Sequence, residues 1–250
     1  MKIYLTAALF FCFSSCVFSQ DTKKAKSLIE QGIQLHDAGK YSNAISMYKQ
    51  ALEANSNDVS ALYEMSYTYY ISKNYDSSIF LSKQLIAMHA PDAVVKNVYV
   101  TLGSVYDDMH NSKEAERTYK EGIAKFPDFY LLYFNLGITY YLQNPQDYEL
   151  AMDNFQKAVI LNPLHARSNY WQHKLLINQN KIPAILTACM LCIIEQKTNR
   201  SEECASFIQK ALIPNVTHDS SDKNILFTFH NRRYQKRKKM IFLPLNWHLL

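Results

Sequence analysis

Residues 41–58 read YSNAISMYKQALEANSND, and Tyr41, Ala44, Tyr48 and Ala51 recur three or four positions apart. That spacing puts them on one face of a helix. Two later stretches write nearly the same face: SKEAERTYKEGIAKFPD at 112–128 and YELAMDNFQKAVILNP at 148–163. Aligned on Ala44, Ala115 and Ala151, all three carry an aromatic four residues on (Tyr48, Tyr119, Phe155) and a small residue seven on (Ala51, Gly122, Ala158). Twelve on come Ser56, Pro127 and Pro163. Upstream, Gly32 and Gly103 precede their alanines by 12 residues. Gly137 precedes Ala151 by 14, because QNPQDY (143–148) is two residues longer at the turn. Gly103 to Gly137 is 34 residues, and Gly32 to Gly103 is 71, two such periods plus three.

Two antiparallel helices pack closely where their side chains are small. The glycine of a first helix can sit against the alanine of a second, with the aromatic one turn later filling the gap beneath. The next small residue lets the following helix pair approach. Pro127 and Pro163 end the second helices, since proline cannot continue one. No single pair buries its own face, so the pairs stack into a solenoid. A generic bundle with accidental periodicity has no reason to share a 34-residue register. Five Gly and seven Pro in 250 residues with 48% apolar content suit long helices better than a turn-rich β protein.

These residues at this period resemble the tetratricopeptide repeat (TPR) family. The resemblance implies an all-α fold, a right-handed α-solenoid of stacked antiparallel helix pairs. Its repeats fall at 25–58, 59–92, 96–129 and 130–165, with a weaker fifth at 166–199. In the second, Ser66 stands for the glycine, Ser78 for the alanine and Leu85 for the next small residue, while Leu62, Tyr69 and Tyr75 keep their places. In the fifth, His173 stands where glycine is usual, and Pro183 suits the first turn of a helix.

In the family, positions two, five, nine, twelve and thirteen of each repeat face the concave groove. This implies a protein-binding surface of Tyr63, Tyr67, Tyr70, Asn97, Phe134, Tyr141, Arg167, Tyr170 and Lys174, with Ile71, Val100, Ser104, Asp107, Asp108, Leu131, Ile138, Leu142 and Asn178 at neighbouring positions. Tyr63, Tyr67 and Tyr70 share one helix face. Tyrosine offers a large contact area with a polar tip, as a partly wet recognition surface needs. The other reading is that these aromatics fill the superhelix and touch one another. The carboxylate clamp by which some family members hold chaperone C-termini is not expected, because Ile29 and Ile33 stand where it needs polar groups.

Catalytic signals are missing from the sequence. CMLC (189–192) lies inside the apolar run AILTACMLCIIE, where a helix embeds it as buried, inert thiols rather than a redox pair at a helix start. No zinc spacing, GxSxG, GxxxxGK[ST] or GxGxxG occurs. His36, His110 and His173 read as surface or packing residues, and adjacent Asp107 and Asp108 as a solvated turn. NRS (199–201) and NVT (215–217) match the glycosylation sequon. The expectation is a non-enzyme without cofactor or metal.

The two ends differ from the array. MKIYLTAALFFCFSSCVFSQ has the pattern of a secretory signal peptide, 1–19, cut after Ser19, and its apolar run is short for a membrane span. The alternative is lipoprotein processing at Cys16. A short lead, 20–24, precedes the first helix. After ordinary cleavage Cys189, Cys192 and Cys204 remain, an odd count without a complete disulfide framework. SEECASFIQKAL reads as a capping helix within 200–214, with its acids near the positive end. The tail, 215–250, breaks the pattern: NVTHDSSDKN is loop-like, and RRYQKRKK (232–239) holds six Lys/Arg. Taking those six and Lys2 from the net +5 leaves −2 for the rest, so the basic pI is no nucleic-acid footprint. Three readings of the tail stand side by side: a disordered basic end, a membrane-surface or partner-binding segment, or a shifted reading frame at a truncated gene's end.

The functional expectation is an exported, periplasmic or outer-membrane-associated scaffold or adaptor that binds another protein, as a segment or helix, in its groove. Membrane association would come only through the tail or Cys16. The rivals are a non-catalytic subunit or truncated form of a larger envelope complex, and a structural spacer. The oligomeric state is left open, since an uncapped solenoid end exposes apolar surface.

Overall fold

The computed structural model describes residues 23–143, 148–179, 181–212, 216–218 and 225–227. Helix α1 covers 23–37. It is followed by α2 (Tyr41–Ala54), α3 (Val59–Ile71), α4 (Tyr75–Ala87), α5 (Asp92–Asp108), α6 (Ser112–Lys125), α7 (Tyr130–Gln143), α8 (Tyr148–Leu161), α9 (Ala166–Leu176), α10 (Lys181–Ile194) and α11 (Asn199–Leu212). The chain divides into two compact bodies at Pro163/Leu164.

In the N-terminal body each helix packs on the next, and the first helices also pack on one another, α3 on α5 and α5 on α7. That is the α-solenoid expected. The turns inside the first three pairs repeat one geometry. Gly39, Lys73 and His110 adopt φ of 73°, 63° and 58°, and the next residue's N–H (Lys40, Asn74, Asn111) donates to a carbonyl five positions back at 2.8 Å. This is a Schellman-type close of each first helix. The left-handed conformation costs glycine little and costs Lys73 and His110 about 1 kcal/mol each. Asn74 and Asn111 then cap α4 and α6, accepting from the N–H of Ser77 and Glu114. The three residues beyond two periods are absorbed in α5. Residues 93–95, which the repeat boundaries left between units, form its first turn after Pro91.

The core repeats one contact. Gly32 meets the ring of Tyr48, Gly103 that of Tyr119 and Gly137 that of Phe155; a Cβ on Gly137 would lie 2.8 Å from Phe155 Cε1. The aromatic, rather than the alanine, is therefore what presses on the glycine. A Cβ on Gly122 would come within 2.9 Å of Leu132, which shows how closely α6 approaches α7. Repeat 2 replaces the whole contact with serines: Ser66 Oγ lies 2.9 Å from Ser82 Oγ and donates to the Ser78 carbonyl at 3.2 Å.

In the C-terminal body α10 packs on both α9 and α11. His173 of α9 is fully buried, its Nδ1 2.9 Å from the Ala184 carbonyl. The residue four after Ala184, where the other repeats carry an aromatic, is the buried Ala188. The imidazole thus occupies, from the first helix, the space that Tyr48, Tyr119 or Phe155 fills from the second. Ala188, Leu191 and Cys204 form the core, flanked by Tyr170, Cys192, Phe207 and Ile208. Thr198 and Ser201 close the start of α11 reciprocally: Thr198 N–H donates to Ser201 Oγ at 2.9 Å and Ser201 N–H to Thr198 Oγ1 at 3.2 Å. The helix expected over 200–214 is α11.

Val216–His218 and Ile225–Phe227 form two antiparallel strands, β1 and β2, pairing Val216 with Phe227 and His218 with Ile225. These six residues correct the expectation of loop and unordered tail there. The rest of the tail, the signal-peptide pattern at 1–19 and QNPQDY apart from Gln143 and Tyr148 lie outside the described residues.

Candidate functional site

The first helices α1, α3, α5 and α7 line one side of the N-terminal body, and their facing side chains make a continuous row. His36, in the last turn of α1, stacks on Tyr67 of α3 with centroids 5.4 Å apart and meets Tyr41 edge-on at 5.4 Å. Its Nδ1 lies 2.8 Å from Thr68 Oγ1. Tyr67 is 36% exposed and leans on Tyr70 at 6.2 Å. Burial and then the Asp108 carboxylate push the Tyr70 hydroxyl up to about 12. Tyr63 is likewise pushed up to about 12, by burial and then Glu64.

One repeat pair further on, the tie between His36 and Thr68 recurs in the same register with other residues. Thr139 Oγ1 of α7 donates to Asp107 at 2.8 Å, and the buried Tyr119 hydroxyl donates to the same carboxylate at 3.1 Å. Both ties span 32 positions. Ser104 Oγ sits 3.2 Å from the Tyr119 hydroxyl. Burial raises the Asp107 carboxyl to about 6, although the two donors hold it down in part. Asp107 is therefore no solvated turn residue: it joins α5, α6 and α7, and Asp108 alone of the two is exposed.

At the N-terminal end of the row lies a cavity of about 650 Å³. Its walls include Ile29 and Ile33 of α1, with Glu30, Asp58 and Glu64 as its carboxylates and Lys26 as its ammonium. Burial, then Asp37, raises the Glu64 carboxyl above its ordinary range. Ile29 and Ile33 give the cavity apolar walls where a carboxylate clamp would need donors.

The predicted groove residues separate into four groups. Tyr63, Tyr67 and Tyr70 are brought together on the row. Tyr141 is half-buried and stacked on Tyr148 at 5.6 Å, and Asn97 is half-buried, its amide turned back to the Ala93 carbonyl of its own helix at 2.9 Å. Phe134 is corrected: it is 1% exposed and packs on Phe155 at 5.9 Å, so it belongs to the core and presents nothing to a partner. In the C-terminal body Arg167 is exposed, whereas Tyr170 donates to Glu203 at 3.1 Å and Lys174 pairs with the same carboxylate at 3.3 Å. Glu203 of α11 thus engages both of these side chains of α9. His36 was read only as a surface or packing residue, and Glu64 and Glu30 were not singled out in the sequence; the shared 32-residue offset of His36–Thr68 and Asp107–Thr139 is a signal that could have found the role of the first.

Cys189 and Cys192 lie within α10, half-buried, and Cys204 is buried. Burial raises the Cys192 thiol, and Cys204 to about 11, opposite to what a reactive thiolate needs. Among the described residues no group of three or more His, Cys, Asp or Glu is placed to hold a metal ion, and no helix is long and apolar enough to cross a membrane.

The model of the family described as Tetratricopeptide repeat matches residues 29–88 and 100–166, together just over half of the chain. No curated protein matches. Among solved structures, a thermophilic TPR protein of Thermus thermophilus is 18% identical with a TM-score of 0.58, covering 74% of this chain and 98% of its own. The pilF protein of Pseudomonas aeruginosa is 15% identical with a TM-score of 0.62, covering 78% and 95%. MamA of strain RS-1, in a double-mutant form, is 17% identical with a TM-score of 0.52, covering 73% and 95%. At these identities the likeness is one of fold. The glycine–aromatic register, the stacked helix pairs and the matched family model agree, and the chain belongs to the tetratricopeptide repeat family.

Proposed function

We propose that this protein is an exported, non-catalytic scaffold whose N-terminal body binds another protein along the row of α1, α3, α5 and α7. The TPR fold suggests a protein–protein interaction scaffold. The observation that carries the finer reading is the His36–Tyr67–Tyr70 row, in which stacked rings keep a solvent-facing edge at Tyr67. Rings held by stacking lose little conformational freedom on binding, which favours recognition. Export rests on the leader pattern of residues 1–19, and the envelope as the place of action follows from it.

Affinity capture from the native host tests the reading, with residues 20–250 as bait and Tyr67→Ala/Tyr70→Ala as control. A partner held by the first bait and lost by the second, with equal melting of the two, supports a binding row. Identical captures would leave the chain as a spacer or as a subunit that binds elsewhere. Intact mass of the protein recovered from its host tests export: the chain should begin at Gln20, or at a lipidated Cys16.

A further inference from the structure

The row and the cavity beside it share a charge character that a protein-binding site need not have. Along α1, α3, α5 and α7 stand six carboxylates, Glu30, Asp37, Glu64, Asp92, Asp107 and Asp108, against Lys23, Lys24 and Lys26 at the start of α1 and, beyond that helix, Lys96 alone. That ammonium lies over the Phe129 ring at 4.9 Å, so it is already engaged. The cavity sets Asp58, Glu30 and Glu64 against Lys26. Outside α1 the cations of this body cluster on α6, where Arg117 and Lys120 are paired with glutamates of their own helix. Carboxylates standing next to tyrosine faces form the surroundings in which a guanidinium or ammonium is held by charge and by the ring quadrupole together. An apolar-walled cavity with carboxylates also suits the long methylene stem of Lys or Arg.

We propose that the segment bound on this face is cationic: one Lys or Arg enters the cavity of Ile29, Ile33, Glu30 and Glu64, and a second lies over Tyr67 and Tyr70 toward Asp108. This rests on the protein-binding reading of the same face and narrows the partner to one with spaced basic residues. It also inverts the polarity of a site built to hold a terminal carboxylate.

Fluorescence anisotropy on the full chain tests it, with a labelled nine-residue Arg/Tyr/Gly peptide and a counterpart in which Glu replaces every Arg. The Arg peptide should bind at least about tenfold more tightly, and the preference should weaken with added salt. Glu64→Gln/Asp108→Asn should lower its affinity about tenfold while leaving the melting curve in place. Equal binding of both peptides, unchanged affinity in the double variant, or no binding of either peptide would overturn the proposal. The parent reading is tested separately. If a captured partner is lost with Tyr67→Ala/Tyr70→Ala but kept with Glu64→Gln/Asp108→Asn, the row binds protein and its cationic preference is wrong.

Discussion

Repeat 3 and repeat 5 solve the same packing problem from opposite sides. In repeat 3 the first helix gives way: Gly103 leaves room, and Tyr119 from the second helix fills it. In repeat 5 the second helix gives way, with Ala184 and Ala188, and His173 from the first fills the space. Volume is conserved across the helix pair rather than at a position, as close-packed interiors require. The chemistry differs, however. Tyr119 carries its hydroxyl to Asp107 of its own repeat, a carboxylate that Thr139 ties to the next pair, whereas His173 turns Nδ1 to the Ala184 carbonyl and meets Phe207 of α11 edge-on at 4.8 Å.

The sharpest test of that comparison is removal of the filler. Tyr119→Ala should cost about 3–5 kcal/mol in urea denaturation, because it opens a cavity and also leaves Asp107 short of a donor. Next comes the exchange. His173→Gly alone and Ala188→Phe alone should each cost about 2–3 kcal/mol, by cavity and by overpacking. Together they should fall within about 1 kcal/mol of the parent if the two packings are equivalent. A double variant no better than the sum of its singles would show that the shorter α9 cannot adopt the arrangement of repeat 3.

The two bodies should also respond oppositely to acid. Burial depresses the His173 pKa below 6.5, so the folded C-terminal body resists protonation that the unfolded chain accepts. Its stability is full above about pH 6.5 and falls as pH drops through that value. Asp107 is raised to about 6 from 3.8, so its contribution is greatest below the lower value and declines as pH rises through the higher one. Hydrogen-exchange protection factors between about pH 7.5 and pH 5 should therefore fall in 166–212 and rise in 92–143. His173→Phe should weaken the first trend, leaving the share of His165, whose pKa burial also lowers, and Asp107→Asn should remove the Asp107 share of the second. The smallest effect is expected at repeat 2: Ser82→Ala should cost about 1 kcal/mol by removing one of the two hydrogen bonds of Ser66, which keeps the Ser78 carbonyl, and Ser66→Ala/Ser82→Ala should cost no more than that.

The register of glycine, alanine and aromatic was legible because each member is a strong steric choice that recurs. Ser66 was read as a degenerate glycine, yet Ser82 went unnoticed, since three serines in place of glycine, alanine and tyrosine look like decay until the hydrogen bond between them is seen. Phe134 failed for a related reason. The family position describes where an average side chain points, and a large apolar ring follows the larger gain from burial against Phe155. Tyr170 and Lys174 occupied the predicted face, but periodicity within α9 carries no sign that Glu203 of α11 will lie across it.

What the linear chain dictated was every property that depends on neighbours within about two turns: which stretches are helical, which face of each is apolar, and where tight turns end them. These follow from steric and capping preferences that act locally. Repetition of the local pattern then dictated stacking, because each pair leaves the same face unburied. The structure decided the rest, namely that His36 and Asp107 occupy equivalent ties 32 residues from their threonines, that Asp107 is half-buried, and that the carboxylates of α3 and α5 stand beside the tyrosines of the row. Those properties arise from groups that meet only across helices. Burial and the sum of neighbouring charges depend on distance in space, which spacing along the chain does not carry.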